Sequence, residues 1–449
     1  MIEVLGSFIF LGVRRMSTNT VSSRNESEFS KMKKVIISCV AGSALEWYDF
    51  AVYGFFATII GKLFFPSGDD FQEIIASFGA FASGLIARPI GAVLFGYIGD
   101  IYGRKKALVI SIYMMAIPTA LMGFLPTYET IGIWAGIILT IVRIVQGLAL
   151  GGGFTGTIVF LYEHSSPSKK STYSAWAPFS LVTGFILGAI VATIMAKIFT
   201  PEQLETIGWR IPFIISFLGT FIAEYVKLKL DDPKEFIAQQ KSEIDENKKK
   251  GLLRNLFLNH WKGVTLITIT DVLTACGYFL IAIFFTTYFE TILHLEKESV
   301  FIIQSINMTV FGLSILLGGW LADRLGKRIQ MLIACVSLSA LAFPFFDYMV
   351  ESATFVSALL GEMGIIFLFS MYYGPIPATI CSMLPTRVRL IGVSIAHNFA
   401  MAAFGAYAPT LATYLIKWSG DPTIPAVLFI ISAGLTAVAL FIWKEDSEY

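Results

Sequence analysis

The chain has 449 residues, of which 55% are hydrophobic and only 14% charged, with a mean hydropathy of +0.71. A soluble domain of this size carries far more charge on its outside, so lipid contact is the plain reading. The net charge is +1 and no basic tract suits a nucleic acid, so no such partner is indicated.

Residues 6–13 are apolar, but the stretch is short. It lacks a basic region before it and a small-residue cleavage site after it, so it does not read as a signal peptide. Met16 is an alternative start. Residues 1–34 read as a cytoplasmic tail, with the polar part Ser17–Ser30 expected to be disordered. A helix needs about 20 apolar residues to cross the hydrocarbon core. Six such runs lie near 35–61, 74–98, 107–125, 130–162, 173–198 and 209–230, giving an N-terminal bundle over 35–230. The polar stretch 231–259, which contains Lys248–Lys250, is expected to be a cytoplasmic linker. Six more runs follow near 261–289, 298–322, 329–348, 353–383, 390–417 and 422–443, giving a C-terminal bundle over 260–443 and a short tail over 444–449. The expected fold is an all-α polytopic membrane protein of twelve transmembrane helices in two pseudo-symmetric six-helix bundles. Cys39, Cys276, Cys335 and Cys381 lie inside apolar runs with no metal or disulfide spacing, and read as small core residues.

Two loops support the duplication. In Gly96-Tyr-Ile-Gly-Asp100-Ile-Tyr-Gly103-Arg104 and Gly319-Trp-Leu-Ala-Asp323-Arg324-Leu-Gly326, one Gly sits four residues before an Asp and another three after it. The Asp offset, 323 − 100 = 223, is about half the chain. Pro167 and Pro385, after spans four and ten, give a similar offset, 385 − 167 = 218. A repeated, basic-looped bundle points to a transporter. Lys and Arg gather in the loops on one side, whereas Asp69, Asp70, Glu73, Glu129, Glu202, Glu205, Asp347 and Glu351 gather on the other. The basic side is expected to be cytoplasmic, with both termini inside.

Ionisable residues inside spans are functional candidates by default. In span one, Gly42, Glu46, Asp49 and Tyr53 follow a 4-3-4 spacing that puts both acids on one helical face. Two carboxylates a turn apart and shielded from water do not both ionise readily, so they can take up and release a proton; the alternative is a fixed ion pair with a nearby Arg. In span two, Arg88 precedes Pro89 between Gly84 and Gly91. It can neutralise one of those acids or bind a substrate carboxylate in two-pronged fashion. In span four, Arg143, Gln146 and Gly147 share a face, and Gly151–Gly153 read as close helix packing rather than a phosphate loop. The duplication offset carries 143 to 362, so Arg143 and Glu362 are expected at pseudo-equivalent places, facing each other across a cavity. It also puts Asp271 of span seven beside Asp49, with Thr274 and Tyr278 on the same face. His397-Asn398 is a polar pair in span eleven, the His being either a hydrogen-bonded packing residue or a proton carrier. Tyr372-Tyr373-Gly-Pro375-Ile-Pro377 marks a break in span ten. Asp100, Arg104, Asp323, Arg324 and Arg328 are expected to pair across the bundle interface as a gate, the alternative being headgroup anchoring.

The loop signature resembles that of the major facilitator superfamily. Glu46-Trp47-Tyr48-Asp49-Phe50, Ala87-Arg88-Pro89-Ile90-Gly91, Arg143-x-x-Gln146-Gly147, Gly208-Trp209-Arg210-Ile211-Pro212-Phe213 and Leu384-Pro385-Thr386-Arg387-x-Arg389 are similar to segments of its metabolite:proton symporters. The resemblance implies the major facilitator fold and proton-driven uptake across a bacterial inner membrane of solutes such as proline, betaine, α-ketoglutarate, citrate or shikimate. Two departures are Ala92, where the family often has Gly, and Ser382, where it often has Glu.

Four candidate cavity acids, Glu46, Asp49, Asp271 and Glu362, stand against two firm cations, Arg88 and Arg143. That balance favours a zwitterion over a tricarboxylate. The carboxylate would take an Arg, while aromatics such as Tyr48, Tyr53, Trp176 or Tyr278 face the ammonium. An organic acid and a non-transporting membrane sensor stay open as alternatives. No nucleophile, metal or nucleotide motif supports an enzyme. The expected partners are a small solute, protons and lipid, with no cofactor, and the chain is expected to act as a monomer.

Overall fold

The computed structural model describes residues 19–234, 236–238 and 251–443. The apolar 6–13, Met16, Lys248–Lys250 and the tail 444–449 lie outside these. Among the described residues ten helices are long and apolar enough to cross a membrane. The other two expected spans are present in shorter form. Span six is split into Arg210–Ile215 and Leu218–Lys229, and span twelve is Ala426–Ile442. The first helix begins at Asn19, so the stretch up to Ser30 is helical from there and not a disordered tail. The polar linker also holds a helix, Leu252–Asn259, which buries Leu252 and Leu256.

Several spans are interrupted, and the interruptions sit among the polar residues. Span seven runs as Trp261–Thr270 and Val272–Phe279, broken at Asp271, and then makes a wide π turn at Leu280–Phe284. Span ten breaks between Phe355–Tyr373 and Ile376–Ser382, where Pro375 supplies no backbone N–H. Span eleven passes through a second π turn at Met401–Gly405. Such turns are common at functional sites. Spans two, four and nine, at Asp70–Tyr102, Trp134–His164 and Lys327–Ser352, are unbroken.

Spans two and four touch backbone to backbone. A Cβ on Gly147 would sit 1.9 Å from the Gly84 carbonyl oxygen, and one on Gly91 2.0 Å from that of Leu148. Lipid tails give helices no hydrophobic reason to associate, so small residues that permit close van der Waals contact hold this seam. The two halves meet mainly at the end carrying the basic loops. There span two packs on the first part of span eleven, span eight on span five, and Ile376–Ser382 on spans four and five. At the acidic end Ala57–Phe64, Phe285–Thr291 and Ala408–Ser419 pack chiefly within their own halves. The molecule is therefore shut at the basic end.

Candidate functional site

The acids of span one both point at span four. Asp49 is fully buried and accepts from Arg143 Nη1 at 2.5 Å and from Gln146 Nε2 at 3.2 Å, and Gln146 also donates to Thr119 Oγ1 at 2.6 Å. The Arg143 guanidinium lies 3.9 Å above the Tyr53 ring, whose hydroxyl donates to Ser77 O at 2.8 Å. Tyr53 is thus a floor for Arg143 rather than an open substrate contact. Glu46, one turn away, faces Gly153; a Cβ there would lie 2.0 Å from Glu46 Oε1, so that glycine makes room for the acid.

Arg88 stands between the halves. Its Nε donates to Asn398 Oδ1 at 3.1 Å, and Asn398 Nδ2 donates to Gly151 O and Ser394 O at 2.8 and 2.9 Å. The titratable neighbours that act on Arg88 are Glu46 and Tyr278. On the C-terminal side the break at Asp271 is braced from behind. Tyr372 donates to Thr270 O at 2.5 Å and pairs with Thr274 Oγ1 at 3.0 Å, while Thr436 donates to Thr270 O at 3.1 Å. This bracing leaves Asp271 Oδ2 2.5 Å from His397 Nδ1, and the His397 ring 5.5 Å from Phe154.

Trp47 joins these groups, a residue that sequence reasoning passed over in favour of its acidic neighbours. Its ring centroid is 6.0 Å from Tyr278 in span seven, 6.2 Å from Phe154 and 5.8 Å from Phe185. Its advance signals were its place between two intramembrane acids and within the Glu46–Phe50 segment. Around this centre Glu46 Oε2, Trp47 Nε1, Arg143 Nε and Nη2, Asp271 Oδ1 and the Tyr278 hydroxyl are buried without a hydrogen-bond partner. Each costs several kcal/mol in a bilayer interior unless something satisfies it. Together they are buried donors and acceptors left without a hydrogen-bond partner in this conformation.

One expected partnership fails here. No ion pair joins Arg143 to Glu362. Arg143 is held by Asp49, whereas Glu362 sits between spans eight and ten and accepts from Gln304 Nε2 and Asn307 Nδ2. Trp176 lies with its ring 5.2 Å from that of Phe179.

The basic end explains the repeated loop. In each copy the first glycine packs against the opposite half: a Cβ on Gly96 would lie 2.5 Å from Ile391 Cα, and one on Gly319 2.5 Å from Ala175 Cβ. Each Asp then caps a helix N-terminus of the opposite half. Asp100 accepts from the backbone N–H of Leu390 and Ile391 at 3.3 and 2.9 Å. Asp323 accepts from those of Ser171 and Thr172 at 2.9 and 2.8 Å. Carboxylates are favoured there by the exposed N–H groups and the helix dipole. Gly103 and Gly326, with φ of 118° and 88°, make the turns that follow, where a Cβ would be strained. Arg104 pairs with Asp100 and with Glu163, and crosses to Thr386 O at 2.6 Å. Glu163 also takes Arg389 Nη1 at 2.8 Å. Arg324 and Arg328 do not bridge the halves as expected. Arg324 stacks on Trp320 at 3.8 Å, and Arg328 donates to Leu440 O and Phe441 O at the end of span twelve, both at 2.8 Å. Ser382 bonds only to Thr379 O in its own helix, so span ten has no counterpart of Glu163.

A twelve-helix, two-bundle membrane fold with a polar centre and a lock at one end defines a secondary transporter. The family model described as Major Facilitator Superfamily matches residues 39–409, with a second match over 273–448. The chain is 31% identical over 426 residues to the proline/betaine transporter of Salmonella typhimurium, covering 93% of this chain and 84% of that protein, and equally to that of Escherichia coli K12. It is 29% identical over 404 residues to the citrate-proton symporter of Klebsiella pneumoniae, covering 90% of each. Its fold matches the proton:xylose symporter XylE bound to 6-bromo-6-deoxy-D-glucose with a TM-score of 0.73, at 18% identity and over 94% of this chain and 97% of that one. The chain belongs to the major facilitator superfamily and is a multi-span membrane transporter, not an enzyme.

Proposed function

We propose that the protein carries a small zwitterion such as proline or glycine betaine together with protons, by rocking of the 35–230 and 260–443 bundles about the central site. The observation that supports this reading is that Arg88, with Glu46 in its electrostatic reach, lies at the interface where Trp47 meets Tyr278 edge-on. Arg88 offers a cation for a carboxylate, and the rings with the Glu46 carboxyl offer a cradle for an ammonium. The names of relatives at 31% identity agree with it. The citrate-proton symporter relative keeps an organic acid as the second reading. Charge count weighs against it, since Arg143 is spent on Asp49 and His397 lies against Asp271, which leaves Arg88 to hold several carboxylates.

Coupling is assigned to Asp49 and Glu46, with Asp271 beside His397 as a further candidate. A proton on Asp49 releases Arg143, whose Nε and Nη2 then have no anion nearby, and this biases the equilibrium between the two open states. The basic end is taken as cytoplasmic, so the conformation shut there faces outward. On this reading the protein resides in a bacterial inner membrane with both termini inside, and works as a monomer. Uptake of labelled proline, glycine betaine, α-ketoglutarate and citrate into vesicles, with and without a proton gradient, tests the substrate class. Asp49→Asn should lose gradient-driven accumulation and keep exchange; full gradient-driven uptake by that variant rejects the coupling assignment.

A further inference from the structure

The coupling reading leaves Glu362 unused. It lies on Phe355–Tyr373 in span ten and is fully buried. Every bond to it comes from span eight: Gln304 Nε2 lies 3.1 Å from each of its oxygens, and Asn307 Nδ2 lies 2.6 Å from Oε2. Among the described residues no ion pair joins it to a cation, and its bonds are to amides. Span nine presents Met349 and Phe345 to the same helix, against Gly361 and Gly364. Its hydrogen-bond partners are thus the Gln304 and Asn307 amides of span eight, and what span nine brings against Gly361 and Gly364 is neither titratable nor charged.

Burying a lone carboxylate with amides alone is costly, because two neutral amides do not replace the hydration of a full charge. The cost disappears when the group carries a proton, provided that its new O–H finds an acceptor. That acceptor is present: Asn307 Oδ1 is buried and has no hydrogen-bond partner. One rotation of the Asn307 amide turns Oδ1 towards the acid, and the same motif then serves the neutral form.

We propose that Glu362, Gln304 and Asn307 form a second proton-binding site in the C-terminal half, distinct from the Asp49–Arg143 pair. Its proton comes from water and returns to water with no other bond changed. Binding alters the grip of span eight on span ten, two helices that pack along most of their length. Span eight also carries Asp323, which caps the first helix of span five across the interface. Protonation at Glu362 is therefore placed to act on the same closure that the repeated loop secures. This inference rests on the reading of the protein as proton-coupled, but its first test does not.

Infrared difference spectra of the lipid-reconstituted protein between acidic and alkaline buffer report protonated carboxyl groups directly. A titrating carboxyl carbonyl band should be present in the wild type, survive in Asp49→Asn and vanish in Glu362→Gln. Gln304→Leu, which keeps the acid but removes one amide, should displace the pH at which that band titrates. If Glu362→Gln retains every titrating band, or Gln304→Leu moves none, the proposal is overturned. A second readout is the pH profile of solute counterflow in proteoliposomes, which needs no gradient: Glu362→Gln should flatten it, and a profile identical to wild type refutes the functional part. A wild type that shows the band but no gradient-driven uptake would reject the coupling reading and leave the site itself standing.

Discussion

The lock at the basic end predicts a measurable shift in conformation on substituting Glu163→Gln. Glu163 accepts from Arg104 Nε at 3.1 Å in its own half and from Arg389 Nη1 at 2.8 Å in the other. The amide removes the charge but not the volume. Arg104 keeps Asp100, Gly99 O and Thr386 O, and Arg389 keeps Cys381 O and Leu384 O. The change specific to the interface is therefore one charge-assisted bond across the halves. Such a bond contributes about 1.5–3 kcal/mol, less than the 3–5 kcal/mol of an ion left wholly unpaired. At about 1.4 kcal/mol per tenfold, opening of the basic end should become roughly 10- to 150-fold more favourable. Ser394 reports it, because its Oγ is buried 2.7 Å from Thr155 Oγ1 across the same interface. A cysteine at Ser394, in a background with Cys39, Cys276, Cys335 and Cys381 replaced, should be alkylated from the basic side faster in Glu163→Gln by that factor. Alkylation at the unchanged rate would refute the assignment of Glu163 as a cross-half tether.

Two further substitutions bear on the seam and the cradle. Gly147→Ala puts a methyl where the Gly84 carbonyl oxygen lies 1.9 Å away, so it should cost about 1–3 kcal/mol and lower the melting temperature in lipid or detergent. Trp47→Ala should weaken glycine betaine binding by roughly 2- to 30-fold, with Trp47→Phe recovering part of it, as a solute-competition assay would show. Equal binding by Trp47→Ala would remove Trp47 from the cradle.

The architecture was legible because its causes are local. A run of about 20 apolar residues is a span wherever it occurs, and the loop signature repeats because both copies do the same work. Gly96 and Gly319 sit under the opposite half, Asp100 and Asp323 cap its helices, and Gly103 and Gly326 turn the chain. Span limits were less legible where helices continue past the apolar run. The first helix starts at Asn19 because the polar residues before span one are compatible with a helix, although they contribute nothing to crossing.

Partnerships were less legible, and the failure has a physical source. The 3.6-residue period put Glu46 and Asp49 on one face, and both do meet span four. Periodicity fixes a face and says nothing about which side chain waits opposite it. The duplication offset was asked to supply that missing partner, and it could not. Pseudo-symmetry relates backbone positions, and the two halves no longer carry the same chemistry at them. The Arg143 position and the Glu362 position bear opposite charges, yet each charge in a low-dielectric interior is settled by the nearest available group. Arg143 takes Asp49 from span one, and Glu362 takes two amides from span eight. Had they paired with each other across the centre, the bond would have tied the two halves together at the place where they must separate. The ion pair that joins the halves, Glu163 with Arg389, and the caps that Asp100 and Asp323 place on helices of the opposite half lie at the basic end, where closing and opening is the function, whereas at the centre Arg88 reaches across to the neutral Asn398. A transporter that rocks about its middle needs its intramembrane ion pairs kept within each bundle, neutral partners across the centre and its breakable charged contacts at the end that opens.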